Sequence, residues 1–147
     1  MFQEATIAAT AHVIQLAVAP VFLLTGIGSM LAVMTSRLSR IIDRARALED
    51  YLDKNPPEEA MLVEVAILSR RAKLVGYAIG LCTLTALLIC SVIAILFLGS
   101  FIAFKASIVV SLLFVVAMLT FFISLLFFLR EIFLATASMQ FGLPKHK

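Results

Sequence analysis

Charged residues are scarce in this chain. Asp, Glu, Lys and Arg make up 14% of its 147 residues, whereas 63% are hydrophobic and the mean hydropathy is +1.11. Soluble domains are usually about 25% charged. Three stretches, 13–34, 74–98 and 106–129, contain no Asp, Glu, Lys or Arg at all. Because about 20 apolar residues suffice to cross a bilayer, the scarcity of charge excludes an ordinary soluble domain. It predicts an all-α integral membrane protein with three transmembrane helices.

Residues typical of catalytic and metal sites are also scarce. The two histidines, His12 and His146, lie near opposite ends of the chain, and Cys82 and Cys90 both fall within the second predicted span. A metal site needs three or four converging ligands, and no phosphate-binding glycine loop or Ser-His-Asp arrangement is recognisable. We therefore expect no catalytic residues, no metal site and no cofactor, and we expect that the protein is not an enzyme.

Positive charge is distributed unequally about the predicted spans. Eight Lys and Arg residues lie between the first and second spans and three follow the third, whereas the turn between the second and third spans contains only Lys105. They form no basic face or tail, so nucleic acid is not an expected partner. The positive-inside rule places the basic segments in the cytoplasm. The expected order is an extracytoplasmic N-terminus at 1–12, a transmembrane helix at 13–35, a cytoplasmic segment at 36–73, a transmembrane helix at 74–98, an extracytoplasmic turn at 99–105, a transmembrane helix at 106–129 and a cytoplasmic C-terminal segment at 130–147.

The segment 36–73 has the pattern of a helical hairpin. Apolar residues recur at spacings of three and four on both sides of a turn at 53–57, as they do where two helices pack along a seam. Asn55 can cap the second helix, whose first turn accepts the two prolines. We therefore predict a long cytoplasmic hairpin formed by extensions of the first two helices. Its seam residues are Leu38, Ile41, Ala45, Leu48, Leu52, Met61, Val65, Leu68 and Ala72.

The charges of the hairpin are ordered along its length. Acidic residues gather toward the tip, whereas basic residues cluster toward the membrane. Two interpretations of this basic girdle stay open: it contacts anionic lipid headgroups, or it lines a cytoplasmic vestibule or partner site. The basic girdle consists of Arg37, Arg44, Arg46, Arg70, Arg71, Lys73 and Arg130.

The first helix has two unlike faces. Its seam continues into the membrane as a bulky apolar stripe, whereas the residues about 200° around the helix are small and weakly polar. Small side chains favour close contact with another helix, and lipid gains nothing from them. This slender face therefore indicates either packing within the chain's own bundle or contact with other copies of the chain. It consists of Gln15, Ala19, Phe22, Gly26, Ser29, Val33, Ser36 and Arg40.

The second and third spans give weaker indications of how their helices pack. Gly76 and Gly80 form a pair of small residues four positions apart, which we expect to let the first helix approach the second. The third span is rich in phenylalanine, including Phe128, which suits a helix that faces lipid. Arg130 and Glu131 mark its end. Because no span as predicted contains an ionisable residue, an ion-coupled carrier is not expected.

Two runs of the first helix carry a resemblance to a known family. The runs APVFLLTGIG at 19–28 and TSRLSRIIDRAR at 35–46 are similar to a group of small bacterial inner-membrane proteins catalogued as a domain of unknown function. The rest of the chain resembles that family in layout, with a helical hairpin, the Arg70-Arg71 pair on its return and two further spans. The resemblance implies a bacterial cytoplasmic membrane and a three-span design, and it implies no activity or ligand.

Two functions fit these patterns. The first is a homo-oligomer whose first helices gather around an axis and form an ion channel or pore, with Phe22 as its apolar constriction and Arg40 at its cytoplasmic exit. The alternative is a non-conducting scaffold or regulatory subunit that binds a cytoplasmic partner through the acidic hairpin tip. Lipid binding by the basic girdle is compatible with either. The expected partners are therefore copies of the chain, anionic membrane lipids and a cytoplasmic protein.

Overall fold

The computed structural model consists of three long helices. It describes residues 2–54, 56, 59–101 and 107–139, with the side chains of 11–54, 56, 59–99 and 107–136. The helices are α1 (Phe2–Leu52), α2 (Glu59–Phe101) and α3 (Ser107–Met139), and the described residues include no strand. The prediction of an all-α fold is therefore confirmed.

Each helix is long and apolar enough to cross a membrane. The qualifying stretches are Ala11–Leu52, Glu59–Gly99 and Ser107–Thr136. Large apolar side chains such as Leu112 and Phe122 are exposed on α3, as a surface in contact with lipid requires. The protein is thus a multi-pass membrane protein with three spans.

The helices extend beyond the predicted spans. α1 begins at Phe2, and α3 continues past residue 129 to Met139. Pro20 lies inside α1 without ending it, which membrane helices tolerate because neighbouring groups satisfy the freed backbone carbonyl.

The connection between α1 and α2 begins with a tight turn. The backbone N–H of Asp53 donates to the carbonyl of Glu49 at 3.0 Å, and that of Lys54 donates to the carbonyl of Tyr51 at 3.2 Å. These bonds satisfy carbonyls that the last turn of a helix leaves without partners. The predicted cap at Asn55 lies outside the described residues, as do Pro57 and Glu58.

The chain divides into two compact units. Unit 1 comprises Met1–Leu31 and Leu81–Phe122. Its buried residues include Ile27 on α1, Thr85 and Ile89 on α2 and Ala117 on α3. The thiol of Cys82, also buried, lies 4.0 Å from the carbonyl oxygen of Ile27 and donates to it. Unit 1 is therefore packed through a narrow stripe of each helix.

Unit 2 comprises Ala32–Gly80 and Ile123–Lys147. On α1 its buried residues Met34, Ile41 and Leu48 recur every seven positions, the repeat of helices packed side by side. The hydroxyl of Ser124 on α3 donates to the carbonyl of Ala78 on α2 at 2.7 Å. An apolar seam and a hydrogen bond between helices thus hold this unit together, and the charged site described next lies within it.

Candidate functional site

A buried carboxylate lies at the centre of the candidate site. The side chain of Glu131 on α3 is 0% exposed. Glu131 continues the buried stripe of α3, whose residues lie four or three positions apart: Ser124, Phe128, Glu131 and Ala135. Because this spacing keeps residues on one side of a helix, the side chain of Glu131 faces inward. The structure therefore corrects the interpretation of Glu131 as a mark at the end of the span. A buried carboxylate is costly unless cations pair with it.

Arg71 of α2 supplies the closest cation. Its Nε and Nη2 atoms donate to Oε1 of Glu131 at 3.3 and 2.9 Å. Arg71 lies three residues after Leu68 and four before Val75, both of which are buried, so it occupies a seam position of α2 and faces the neighbouring helices. Its side chain is only 18% exposed. This is a largely desolvated, charge-assisted contact, which is stronger than a neutral hydrogen bond.

Arg37 of α1 supplies the second cation. Its Nη1 lies 3.5 Å from Oε2 of Glu131. That oxygen accepts no hydrogen bond from the described residues, so the attraction between Arg37 and Glu131 is purely electrostatic. The guanidinium carbon of Arg37 also lies 5.5 Å from the centre of the Phe128 ring, within the range of a cation–π interaction. We call Arg37, Arg71 and Glu131 the charge triad; it joins all three helices of unit 2.

A cavity of about 290 Å³ lies beside the charge triad. Its lining consists of Arg37, Arg40, Ile41, Arg44, Leu68, Arg71 and Glu131. Arg44 pairs with Glu64, whose Oε1 lies 2.9 Å from Nη2 and 3.0 Å from Nε. Among the described residues, Arg40 has no ion-pair partner. We call this space the arginine cavity, because four guanidinium groups and one carboxylate line it.

Comparison with known proteins places this chain in a family. The family described as "Protein of unknown function (DUF2721)" matches residues 17–141. The chain belongs to the DUF2721 family. The resemblance drawn from the first helix is thus confirmed, and the match includes the whole charge triad and arginine cavity. Comparisons with curated proteins and with solved structures found no match.

The basic girdle of this DUF2721 chain separates into two groups. Arg37, Arg44 and Arg71 come together at the arginine cavity. The remaining residues of the girdle are exposed and do not line the cavity: Arg46, Arg70, Lys73 and Arg130. The count of positive charges along the sequence could not separate the groups, because it takes no account of which side of the helix a residue occupies.

The slender face of the DUF2721 chain lies on the outside of the single chain. All eight of its residues are exposed, and a Cβ atom added at Gly26 would meet nothing within 4 Å. Gly26 therefore does not serve close packing between helices of the same chain. The opposite stripe is turned inward: the predicted seam residues Ile41, Leu48 and Leu68 are buried, whereas Leu38, Ala45, Leu52, Met61, Val65 and Ala72 are half-buried.

The glycine pair of α2 does not mediate helix packing within the chain. Gly76 and Gly80 are both exposed, and a Cβ atom at either position would meet nothing within 4 Å. The expectation that they let α1 approach is therefore wrong. The buried stripe of α2 passes through the adjacent residues Val75 and Ala78, which turns the two glycines away from it.

The site of this chain is suited to the binding of charged groups. Among the residues whose side chains are described, no three His, Cys, Asp or Glu come together as metal ligands would. The arginine cavity has an excess of positive charge instead, and it lies between apolar side chains of Ile41 and Leu68 that are themselves buried. The arrangement is suited to an anion.

Proposed function

We propose that this membrane protein is a homo-oligomer whose copies associate through the slender face of α1. The observation that carries the proposal is the division of α1 into an exposed face with small residues at Ala19, Gly26 and Ser29 and an inward apolar stripe. Small residues let two helix backbones approach closely, and the resulting van der Waals packing favours association in lipid. The exposed position of Gly26 leaves this face available to a second copy.

Two hydroxyl groups at or beside this face, those of Ser29 and Thr25, already donate hydrogen bonds within α1. Thr25 Oγ1 donates to the carbonyl of Val21 at 3.3 Å, and Ser29 Oγ donates to that of Thr25 at 3.1 Å. Such bonds to the preceding turn satisfy the hydroxyl hydrogen without an external acceptor. Around Gly26 the face therefore offers small size more than free hydrogen-bond donors, and this favours direct contact between helices.

Two glycine substitutions test the assembly. Gly26 and Gly28 are both exposed with open space around the Cβ position, but they lie about 200° apart around α1. Leu is a better helix former than Gly by about 0.8 kcal/mol, so neither Gly26→Leu nor Gly28→Leu should weaken the monomer. We expect Gly26→Leu to lower the particle mass in detergent and Gly28→Leu to retain it. If Gly26→Leu keeps the parent's mass, the assigned interface is wrong.

A pore lined by the slender face follows from the same assembly. Around a symmetry axis, Phe22 forms an apolar constriction and Arg40 contributes positive charge, which favours anions. We expect purified oligomers to conduct in planar bilayers, and Phe22→Ala to raise the conductance. Silence across all voltages and tensions, from protein of verified oligomeric mass, would count against conduction and leave the assembly intact.

A second candidate function is that of a scaffold whose hairpin tip binds a cytoplasmic partner. The observation that favours it is the exposure of Glu49, Asp50 and Glu59 close to the turn. Replacing these three residues by Lys should abolish capture of a basic partner without changing the oligomeric mass. Capture that survives the charge reversal would eliminate this function.

A further inference from the structure

We propose that the arginine cavity binds a phosphate group, either in the headgroup of a phospholipid or in a free phosphate compound. Four arginines line the cavity and one carboxylate opposes them within it. Guanidinium groups are planar, permanently charged and able to donate paired hydrogen bonds to phosphate oxygens. The cavity does not need a second copy of the chain, because every lining residue belongs to unit 2 of a single chain; Arg40 is the one lining residue that also belongs to the slender face.

Neighbouring side chains hold three of the four arginines in place. Arg71 is fixed by Glu131, Arg44 by Glu64, and Arg37 by Glu131 together with the Phe128 ring. Donors that are ordered before the ligand arrives lose less conformational entropy on binding. The acidic residues therefore position the arginines and offset only part of their charge, since the cavity lining contains more positive than negative groups.

Arg40 is the arginine whose charge is least compensated. Its guanidinium has no ion-pair partner among the described residues, whereas each of the other three has one. Removing it breaks no internal contact of the charge triad. Arg40 is therefore the position at which anion binding can be reduced without disturbing the fold.

The size of the cavity limits the ligand. Its volume of about 290 Å³ lies at the lower end of the range for pockets that hold small organic molecules. Such a space accommodates a phosphate group with a short substituent.

The position of the cavity along the helices makes a lipid phosphate accessible. Arg37 follows the charge-free run 13–34, Arg71 precedes the run 74–98, and Glu131 follows the run 106–129, each within three residues. The charge triad therefore marks the edge of the apolar region on all three helices. Lipid phosphates lie at this depth, and dissolved phosphate reaches it from water.

The test compares Arg40→Gln with Arg46→Gln in the purified full-length chain. Both residues are exposed arginines of α1, but only Arg40 lines the cavity. One arm measures retention of phosphatidylglycerol by native mass spectrometry, with oleate as an anionic lipid that lacks phosphate. The other arm titrates inorganic phosphate against chloride at equal ionic strength by calorimetry.

We expect Arg40→Gln to weaken binding of one of the two phosphate probes by about tenfold, the loss typical of one charge-assisted hydrogen bond. Arg46→Gln should change it by less than about twofold, because a distant exposed charge is screened. Selective retention of phosphatidylglycerol assigns the site to lipid, and selective binding of inorganic phosphate assigns it to a soluble ligand. The proposal is overturned if neither probe binds, if both variants behave alike, or if oleate binds as tightly as phosphatidylglycerol while inorganic phosphate does not bind.

Discussion

Two of the ion pairs of unit 2 permit a controlled measurement of how much burial strengthens an ion pair. Arg71–Glu131 and Arg44–Glu64 have the same shortest N···O distance, 2.9 Å, but their side chains are 18% and 0% exposed in the first pair and 59% and 43% in the second. At a charge separation of about 4 Å the attraction is about 1 kcal/mol in water and about 4 kcal/mol at an effective dielectric constant of 20. We therefore expect unequal coupling energies from two pairs of equal length.

The perturbation is a double-mutant cycle for each pair, with every charged residue replaced by Gln. Removing one partner of a buried pair leaves the other charge desolvated, so Glu131→Gln alone should lower the free energy of unfolding by about 2–4 kcal/mol. The coupling energy of Arg71–Glu131 should be about 2 kcal/mol. For the exposed Arg44–Glu64 pair it should not exceed about 0.5 kcal/mol.

The assay is unfolding of the detergent-solubilised chain by increasing fractions of SDS, followed by circular dichroism. The four members of each cycle are measured under the same conditions, so that shared effects of detergent cancel. Equal coupling energies for the two pairs would refute the argument that burial strengthens the charge triad. A loss of helicity in Arg44→Gln as large as that in Glu131→Gln would refute it as well.

Three further predictions follow from individual contacts. Ser29→Leu should reduce the oligomeric mass more than Leu24→Ala does, because Ser29 lies on the exposed side of α1 and Leu24 on its half-buried side; equal masses would contradict this. Ser124→Ala should lower the free energy of unfolding by about 1 kcal/mol, since it removes the 2.7 Å bond to the Ala78 carbonyl; an unchanged SDS midpoint would show that the bond contributes nothing. Asp53 lies at an exposed turn position, so Asp53→Cys should react with a membrane-impermeant maleimide in inside-out vesicles only. The parent chain, which retains Cys82 and Cys90, gives the background labelling. Labelling in right-side-out vesicles would reverse the expected orientation.

The three helices were predictable from the sequence, because a charge-free run of more than about 20 apolar residues is typical of a transmembrane helix. The inward side of α1 was predictable as well, since its apolar residues recur at regular spacings as far as Leu48. What the charge-free runs could not provide was the end of α3. The third charge-free run ends before Arg130, whereas α3 continues to Met139.

The charge triad was missed for a physical reason. Arg71 and Glu131 were treated as residues at the edge of the membrane, where charge is usually solvated. A signal was nonetheless present: Glu131 follows Phe128 by three residues on the same side of α3, and Arg71 lies between Leu68 and Val75 in the stripe of α2. Each charge therefore occupies an apolar seam position of its helix, and two such positions of opposite sign on different helices predict a buried ion pair.

At the glycine pair of α2, the sequence suggested a helix contact that the structure does not contain. A spacing of four between Gly76 and Gly80 describes a flat patch on a helix, but it does not identify what lies against that patch. The buried stripe beside it contains Val75 and Ala78. The apolar periodicity of α2 was the better guide to its packing, and the spacing of its glycines was misleading.

The order of the charge triad along the chain has a consequence for biosynthesis. Arg37 and Arg71 leave the ribosome before Glu131, because they precede it in the chain. A nascent chain that has released only α1 and α2 carries two arginines without their common counter-ion, and the arrival of α3 supplies one negative charge for the pair. The two arginines of the charge triad can therefore be compensated by Glu131 only once α3 has been made.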